Sequence, residues 1–277
     1  MNAPPAATGS VQGVLDALDE VIATAVRRKD RAGYFAAMYR QVTAKVAEGI
    51  AEGFFDDAER MERLDVVFAT RYLAALGEYQ SGRPTTRSWE LAFDATASAR
   101  PLIVQHLLAG MNAHINLDLG IAAATTAPGR DLSTLRKDFD RINEVLALLI
   151  GGIEGDIADV SPWIWLLDKI GGRHDDEVVR FSIEVARTEA WRFAVELAPL
   201  APGDWPGAIS ARDAGVARVG RRILDPGLLG AGLLVIRARE SNDVPRVIRA
   251  LTGVTVPSLP QVERRVRLAR SEPPGPA

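Results

Sequence analysis

His114 and Asp118 stand four residues apart in Gly110-Met111-Asn112-Ala113-His114-Ile115-Asn116-Leu117-Asp118, inside the least charged stretch of the chain, Pro101 to Ala124. On a helix that spacing puts the two side chains about 40° apart on one face and roughly 6 Å apart along the axis, so they could share a metal ion or a substrate. His106 lies eight residues earlier, roughly 12 Å along the axis and about 80° round, out of reach of the same ion. It is read as a separate acid or base on the same wall. Asn112 and Asn116 point roughly opposite His114, where they are read as substrate contacts. Polar groups in so apolar a segment are costly unless each finds a partner.

A metal centre needs three or four ligands, and imidazole with carboxylate suits zinc, iron or manganese. The spacing of four recurs in Asp140 and Glu144, within Asp138-Phe139-Asp140-Arg141-Ile142-Asn143-Glu144. If the two helices are antiparallel neighbours, His114, Asp118 and Asp140 converge on one divalent ion, and Glu144 ligates it or acts as base for its water. The alternative is a hydrogen-bonded core network in which His114 gives a proton to a carboxylate.

Arg71 falls inside the apolar stripe of Met61, Leu64, Phe68, Tyr72 and Ala75. An arginine there must find a carboxylate or a ligand anion, or reach the surface. With Tyr72 it would grip a substrate carboxylate or phosphate. Paired with Asp118 or Asp65 it would be a structural ion pair instead.

These residues need helices to position them, and the 277-residue chain reads as helix after helix, with alanine and leucine recurring at helical spacing. The expected architecture is all-α, a single multi-helix bundle around a buried central helix near 101–124. Other helices are expected near 11–28, 31–51, 57–80, 87–99, 132–156, 161–170, 175–198, 208–224, 228–239 and 243–251. Asp30 and Asp131 read as N-caps, and Gly82-Arg83-Pro84 and Gly171-Gly172 as breaks. Residues 1–10 are expected to be disordered, 11–257 to form one domain, and 258–277 to be an extended or frayed tail.

Composition narrows the classes. A net charge of −3 and a pI near 5.7 argue against a nucleic-acid surface. With no cysteine there is no disulfide, thiolate metal site or cysteine nucleophile. Pro101 to Ala124 is long enough to span a bilayer, but two histidines, two asparagines and an aspartate within it favour a soluble bundle. Met1 to Ser10 lacks a basic region followed by an apolar core, so no signal peptide and a cytoplasmic protein are expected. Asp56-Asp57 reads as a helix start meeting the dipole, and His174 as an exposed helix entry. Nothing in the residues sets an oligomeric state.

The central block, with Phe68, Arg71 and Tyr72 before it, Asp138 to Asn143 after it and Glu189-Ala190-Trp191 further on, resembles an uncharacterised bacterial domain family common in actinobacteria. That resemblance covers roughly residues 11 to 250 and implies one helical domain. His-x3-Asp after a Leu-Gly stretch is also similar to the zinc-dependent phospholipase C and single-strand nuclease superfamily, which pairs it with a His-x3-Glu helix. Here Asp140-x3-Glu144 stands in that place.

The leading expectation is an enzyme acting on a small molecule, with metal-assisted hydrolysis as its chemistry. Two other readings stay open. One is a helical binding or assembly protein whose polar network fixes helix register; the other is a metal-free pocket that folds an apolar metabolite for cyclisation.

Overall fold

The computed structural model describes residues 9–142, 183–225, 227 and 236–253. Among them every regular element is helical and there is no strand, the all-α bundle expected from the spacing of apolar residues. The expected spans 161–170 and most of 228–239, and the two termini, lie outside the described residues.

Among the described residues the α-helices run in order α1 Val11–Arg28, α2 Ala32–Ala51, α3 Ala58–Gln80, α4 Arg87–Thr96, α5 Ile103–Ala113, α6 Gly120–Thr126, α7 over 132–142, α8 Ile183–Leu197, α9 Trp205–Leu224 and α10 Val244–Thr252. A π-helical segment, His114–Leu119, joins α5 to α6 without a break. These three pieces make the central helix, on the order of 36 Å long at 1.5 Å per residue. It packs through α5 against α2, α4 and α9, and through α6 against α3 and α8.

Two hydrophobic cores meet along this helix. One gathers α1, α2, α4, α5, α10 and the C-terminal half of α3, and on the central helix it stops at Ala113. The other gathers α6, α7, α8 and the start of α3, and on the central helix it begins at Ile115. His114 therefore sits at the seam, where Phe68 and Met111 pack against both cores.

Several helices take their caps from distant parts of the chain. Ser10 and Asp57 cap α1 and α3 locally, accepting from the Gly13 and Arg60 amides. By contrast, the side chains of Thr86 and Leu102 leave the starts of α4 and α5 uncapped. Asp213 on α9 accepts from the Arg87 and Ser88 amides at 2.8 and 3.0 Å and from the Ser88 hydroxyl at 2.6 Å. Glu240 accepts from the Ile103 amide at 3.0 Å. Asp138 on α7 receives the Asp56 and Asp57 amides at 2.8 and 3.0 Å, fixing the turn into α3. Each carboxylate is buried and meets the partial positive charge of amides at a helix start, which have no acceptor within their own helix.

Candidate functional site

Repeating faces on two helices build the walls around His114. Phe35, Tyr39 and Thr43 share one face of α2, and Asp65, Phe68 and Tyr72 share one face of α3. The two run antiparallel, so Phe35 meets Tyr72 with ring centroids 5.0 Å apart and Tyr39 meets Phe68 at 5.9 Å. His114 enters between these pairs. Phe68 stacks on its ring at 3.5 Å and 6°, while Tyr39 presents an edge at 4.5 Å. Phe35, Trp89 and Tyr72 complete the cage at 5.6, 5.9 and 6.2 Å. Gly110 is required one turn earlier, because a Cβ there would lie 2.6 Å from Phe35 Cδ2.

Asp118 is the polar hub. Arg71 Nε donates to its Oδ1 at 2.7 Å, and Trp89 Nε1 donates to its Oδ2 at 2.7 Å. His114 Nδ1 faces the same Oδ2 at 3.5 Å. Burial pushes the Asp118 carboxyl up, but His114, Arg71 and Trp89 together outweigh it and hold the group below the usual carboxylate range. Burial lowers His114, and Arg71 adds to that; Asp118 opposes both without reversing them. The pair is thus a carboxylate beside a neutral imidazole. With the proton on Nδ1, the lone pair on Nε2 is free, and Nε2 is buried with no hydrogen-bond partner.

Further unpaired polar atoms line the same faces. The Tyr72 hydroxyl and Oδ2 of Asp65 are buried without a partner, and the buried Tyr39 and Thr43 hydroxyls have no polar partner but each other. Burial, helped by the nearby charge of Glu62, pushes the Asp65 carboxyl up to about 7. Its charge bears in turn on Tyr39, whose hydroxyl is raised well above the usual range chiefly by burial. Buried groups of this kind need water, a proton or a ligand to satisfy them.

Of the residues singled out in the sequence, His114, Asp118, Arg71 and Tyr72 come together. Arg71 pairs with Asp118 and not with Asp65, and its side chain stays 27% exposed, linking the buried pair to the surface. His106 is elsewhere, edge-on to Tyr34 at 5.8 Å, outside the cage. Asn112 donates to the Val216 carbonyl on α9 at 2.9 Å and accepts from Asn116 at 3.1 Å, so both asparagines stand on the α9 side of the helix. Asp140 is half exposed and pairs with Arg136 at 2.6 Å. Glu144, Asn143 and His174 lie outside the described residues. Among the described residues no three His, Asp or Glu side chains gather where they could hold a metal ion.

Sequence reasoning did not find Trp89 as a partner of Asp118, nor Tyr39 and Thr43 as walls. The signal was present in the matching spacings 35-39-43 and 65-68-72, which only acquire meaning once the two helices are paired.

An all-helical protein with a caged imidazole and carboxylate on its central helix is the class these features define. The chain belongs to the family of unknown function DUF5995, which it matches over residues 11–226. Comparison with curated proteins and with solved structures returned no match. No helix among the described residues is long and apolar enough to cross a membrane.

Proposed function

We propose that this protein is an enzyme acting on a small molecule, with His114 as the general base of a hydrolytic reaction. The observation that carries the reading is the unpartnered Nε2 of a buried, neutral imidazole whose other nitrogen faces an ionised carboxylate. Asp118 holds the tautomer and offsets the positive charge that forms when Nε2 takes a proton from water. The 3.5 Å contact is long, as such bonds often are before substrate tightens them. Arg71, with its exposed edge, would bind an anionic group of the substrate. Asp65, whose carboxyl burial pushes up to about 7 on the neighbouring face of α3, would return a proton to a leaving group.

The metal-assisted version has weaker support. Both oxygens of Asp118 already accept short hydrogen bonds from Arg71 and Trp89, with which a metal would have to compete, and His114 Nε2 is the one nitrogen of the pair with a lone pair free for coordination. Asp140 is engaged at the surface, and Glu144 would have to supply the rest. A purely structural network is the second reading, favoured by the fact that Asp118 ties α3 and α4 to the central helix.

The deciding experiment is nitrogen-15 NMR of the three histidines, with His114 assigned by its loss in His114→Asn. A proton on Nδ1 and a bare Nε2 at pH 7 are expected. A proton on Nε2 would remove the base. Elemental analysis of the wild type and His114→Ala addresses the metal: zinc, iron or manganese near one per chain, lost in the variant, would replace the metal-free mechanism. Hydrolysis of chromogenic carboxyl and phosphate esters is expected to fall at least about a hundredfold in His114→Asn, the usual size of a general-base contribution.

A further inference from the structure

The π-helical turn that carries His114 and Asp118 hands one of its carbonyls to a donor outside the helix. In a continuous α-helix the Gly120 amide would donate to the Asn116 carbonyl, four residues back. Here it donates to the Leu117 carbonyl instead. Arg212 on α9 supplies the replacement, its Nε donating to Asn116 O at 2.9 Å. This bond comes from a neighbouring helix and falls between the histidine and its aspartate.

The grip is double. Asn112 Nδ2 donates to the Val216 carbonyl at 2.9 Å, so a side chain of each helix reaches a carbonyl of the other one turn apart. Asn116 Nδ2 donates to Asn112 Oδ1 at 3.1 Å and ties the two contacts together. Arg212 is itself held from α8, where Glu189 stands 3.7 Å from its Nη1 and the centre of the Phe193 ring lies 5.5 Å from its guanidinium carbon. The same helix closes against the end of the turn, since a Cβ on Gly120 would meet the Ala190 carbonyl at 2.7 Å.

A π turn is a rare interruption of an α-helix and needs such support. Its i→i+5 bonding changes the angle about the axis between residues four apart from the roughly 40° of an α-helix. In this turn Asp118 lies where Arg71, Trp89 and His114 all reach it. If the Gly120 amide recaptured the Asn116 carbonyl, the turn would tighten and Asp118 would swing round the axis away from these partners.

We propose that Arg212 is a positioning residue, which by holding the Asn116 carbonyl keeps the turn in its π form and Asp118 aligned with His114 and Trp89. Its part in catalysis rests on the reading of His114 as a base; the alignment does not.

The test uses the full chain labelled with nitrogen-15. The Trp89 indole N–H and the His114 nitrogens face Asp118 and report on its position, and His106, outside the cage, is the control. Trp89 and His114 are assigned by their loss in Trp89→Phe and His114→Asn. Arg212→Met keeps the aliphatic stem and removes the donors. Expected are an upfield shift of the Trp89 indole proton as its bond to Asp118 lengthens, a larger share of His114 with its proton on Nε2, and His106 signals that stay in place. For any ester the protein hydrolyses, kcat is expected to fall about a hundredfold with KM little changed, the scale of a misplacement of roughly 1 Å. Should Arg212→Met not fold, Glu189→Gln loosens Arg212 from the α8 side and is expected to move the same two signals by less. Trp89 and His114 signals that stay in place in the variant that folds, or that move only together with those of His106, overturn the proposal and leave Arg212 a structural contact. A wild type with its proton already on His114 Nε2 removes the base instead, and the Trp89 shift still decides the role of Arg212.

Discussion

Trp89 Nε1 donates to Asp118 Oδ2 at 2.7 Å, so the first turn of α4 is held to the π-helical turn through a buried carboxylate. Trp89→Phe removes that donor together with part of a fully buried indole, so the hydrogen bond is isolated by the double-mutant comparison with Asp118→Asn. A loss of about 1–3 kcal/mol is expected in urea unfolding, the cost of an unsatisfied buried acceptor. Combining it with Asp118→Asn should cost less than the two separate losses added together. Strict additivity would mean that the contact contributes nothing.

Two buried groups give opposite pH slopes. Asp65 holds its proton in the fold up to about 7, against an ordinary value of 3.8, so between those values the folded state binds more protons and stability falls as pH rises. His106 is lowered from 6.5 to about 4, chiefly by burial and then by Arg31 and Arg237, so across that window the unfolded state binds more protons and stability rises with pH. His114 adds to the rise. In the wild type the slopes oppose each other between pH 4 and 6.5. Asp65→Asn should steepen the rise and stabilise the protein at pH 8; His106→Asn should uncover the fall. Urea midpoints from pH 4 to 8 check both, and an Asp65→Asn profile parallel to the wild type would contradict the Asp65 assignment.

Glycine substitutions should rank by what a new Cβ meets. At Gly120 it would lie 2.7 Å from the Ala190 backbone carbonyl and 2.9 Å from Phe193, with nothing flexible to move. At Gly220 the nearest atom is the end of the Leu91 side chain at 2.8 Å. Gly120→Ala is therefore expected to cost about 1–3 kcal/mol, and Gly220→Ala clearly less, because helix propensity offsets a movable clash. Thermal unfolding of both, side by side, gives the order.

Asp213→Ala leaves two amides and a hydroxyl at the start of α4 without their acceptor. A loss of about 2 kcal/mol or more is expected, in the range for hydrogen bonds to charged groups. Hydrogen exchange should show the Arg87 and Ser88 amides opening first.

The fold was legible because the apolar spacing is helical from α1 onward, and the ends of α1, α2 and α3 fall within a residue of their expected places. The start of α9 was not. A helix is expected only from 208, yet it begins at Trp205 with Pro206 in its first turn, where a missing N–H costs nothing. The π segment also escaped, because i→i+5 bonding leaves no mark on residue spacing and rotates the face presented after Leu119 from that before His114. At the site, the histidine, its aspartate and the arginine could be read from one-dimensional spacing. The tryptophan and tyrosine around them depend on which helices become neighbours, and that information is tertiary.

The remote caps set an order of assembly. Ile103 waits for a carboxylate 137 residues further along the chain, Ser88 for one 125 residues away and Asp56 for one 82 residues away. A helical bundle ordinarily folds fast because its contacts are local, and here the first turns of α4 and α5 close only over long loops. During synthesis the central helix can form before its entrance is locked. The caged imidazole then becomes rigid only when the last third of the chain arrives, which makes the site a late product of folding and not its nucleus.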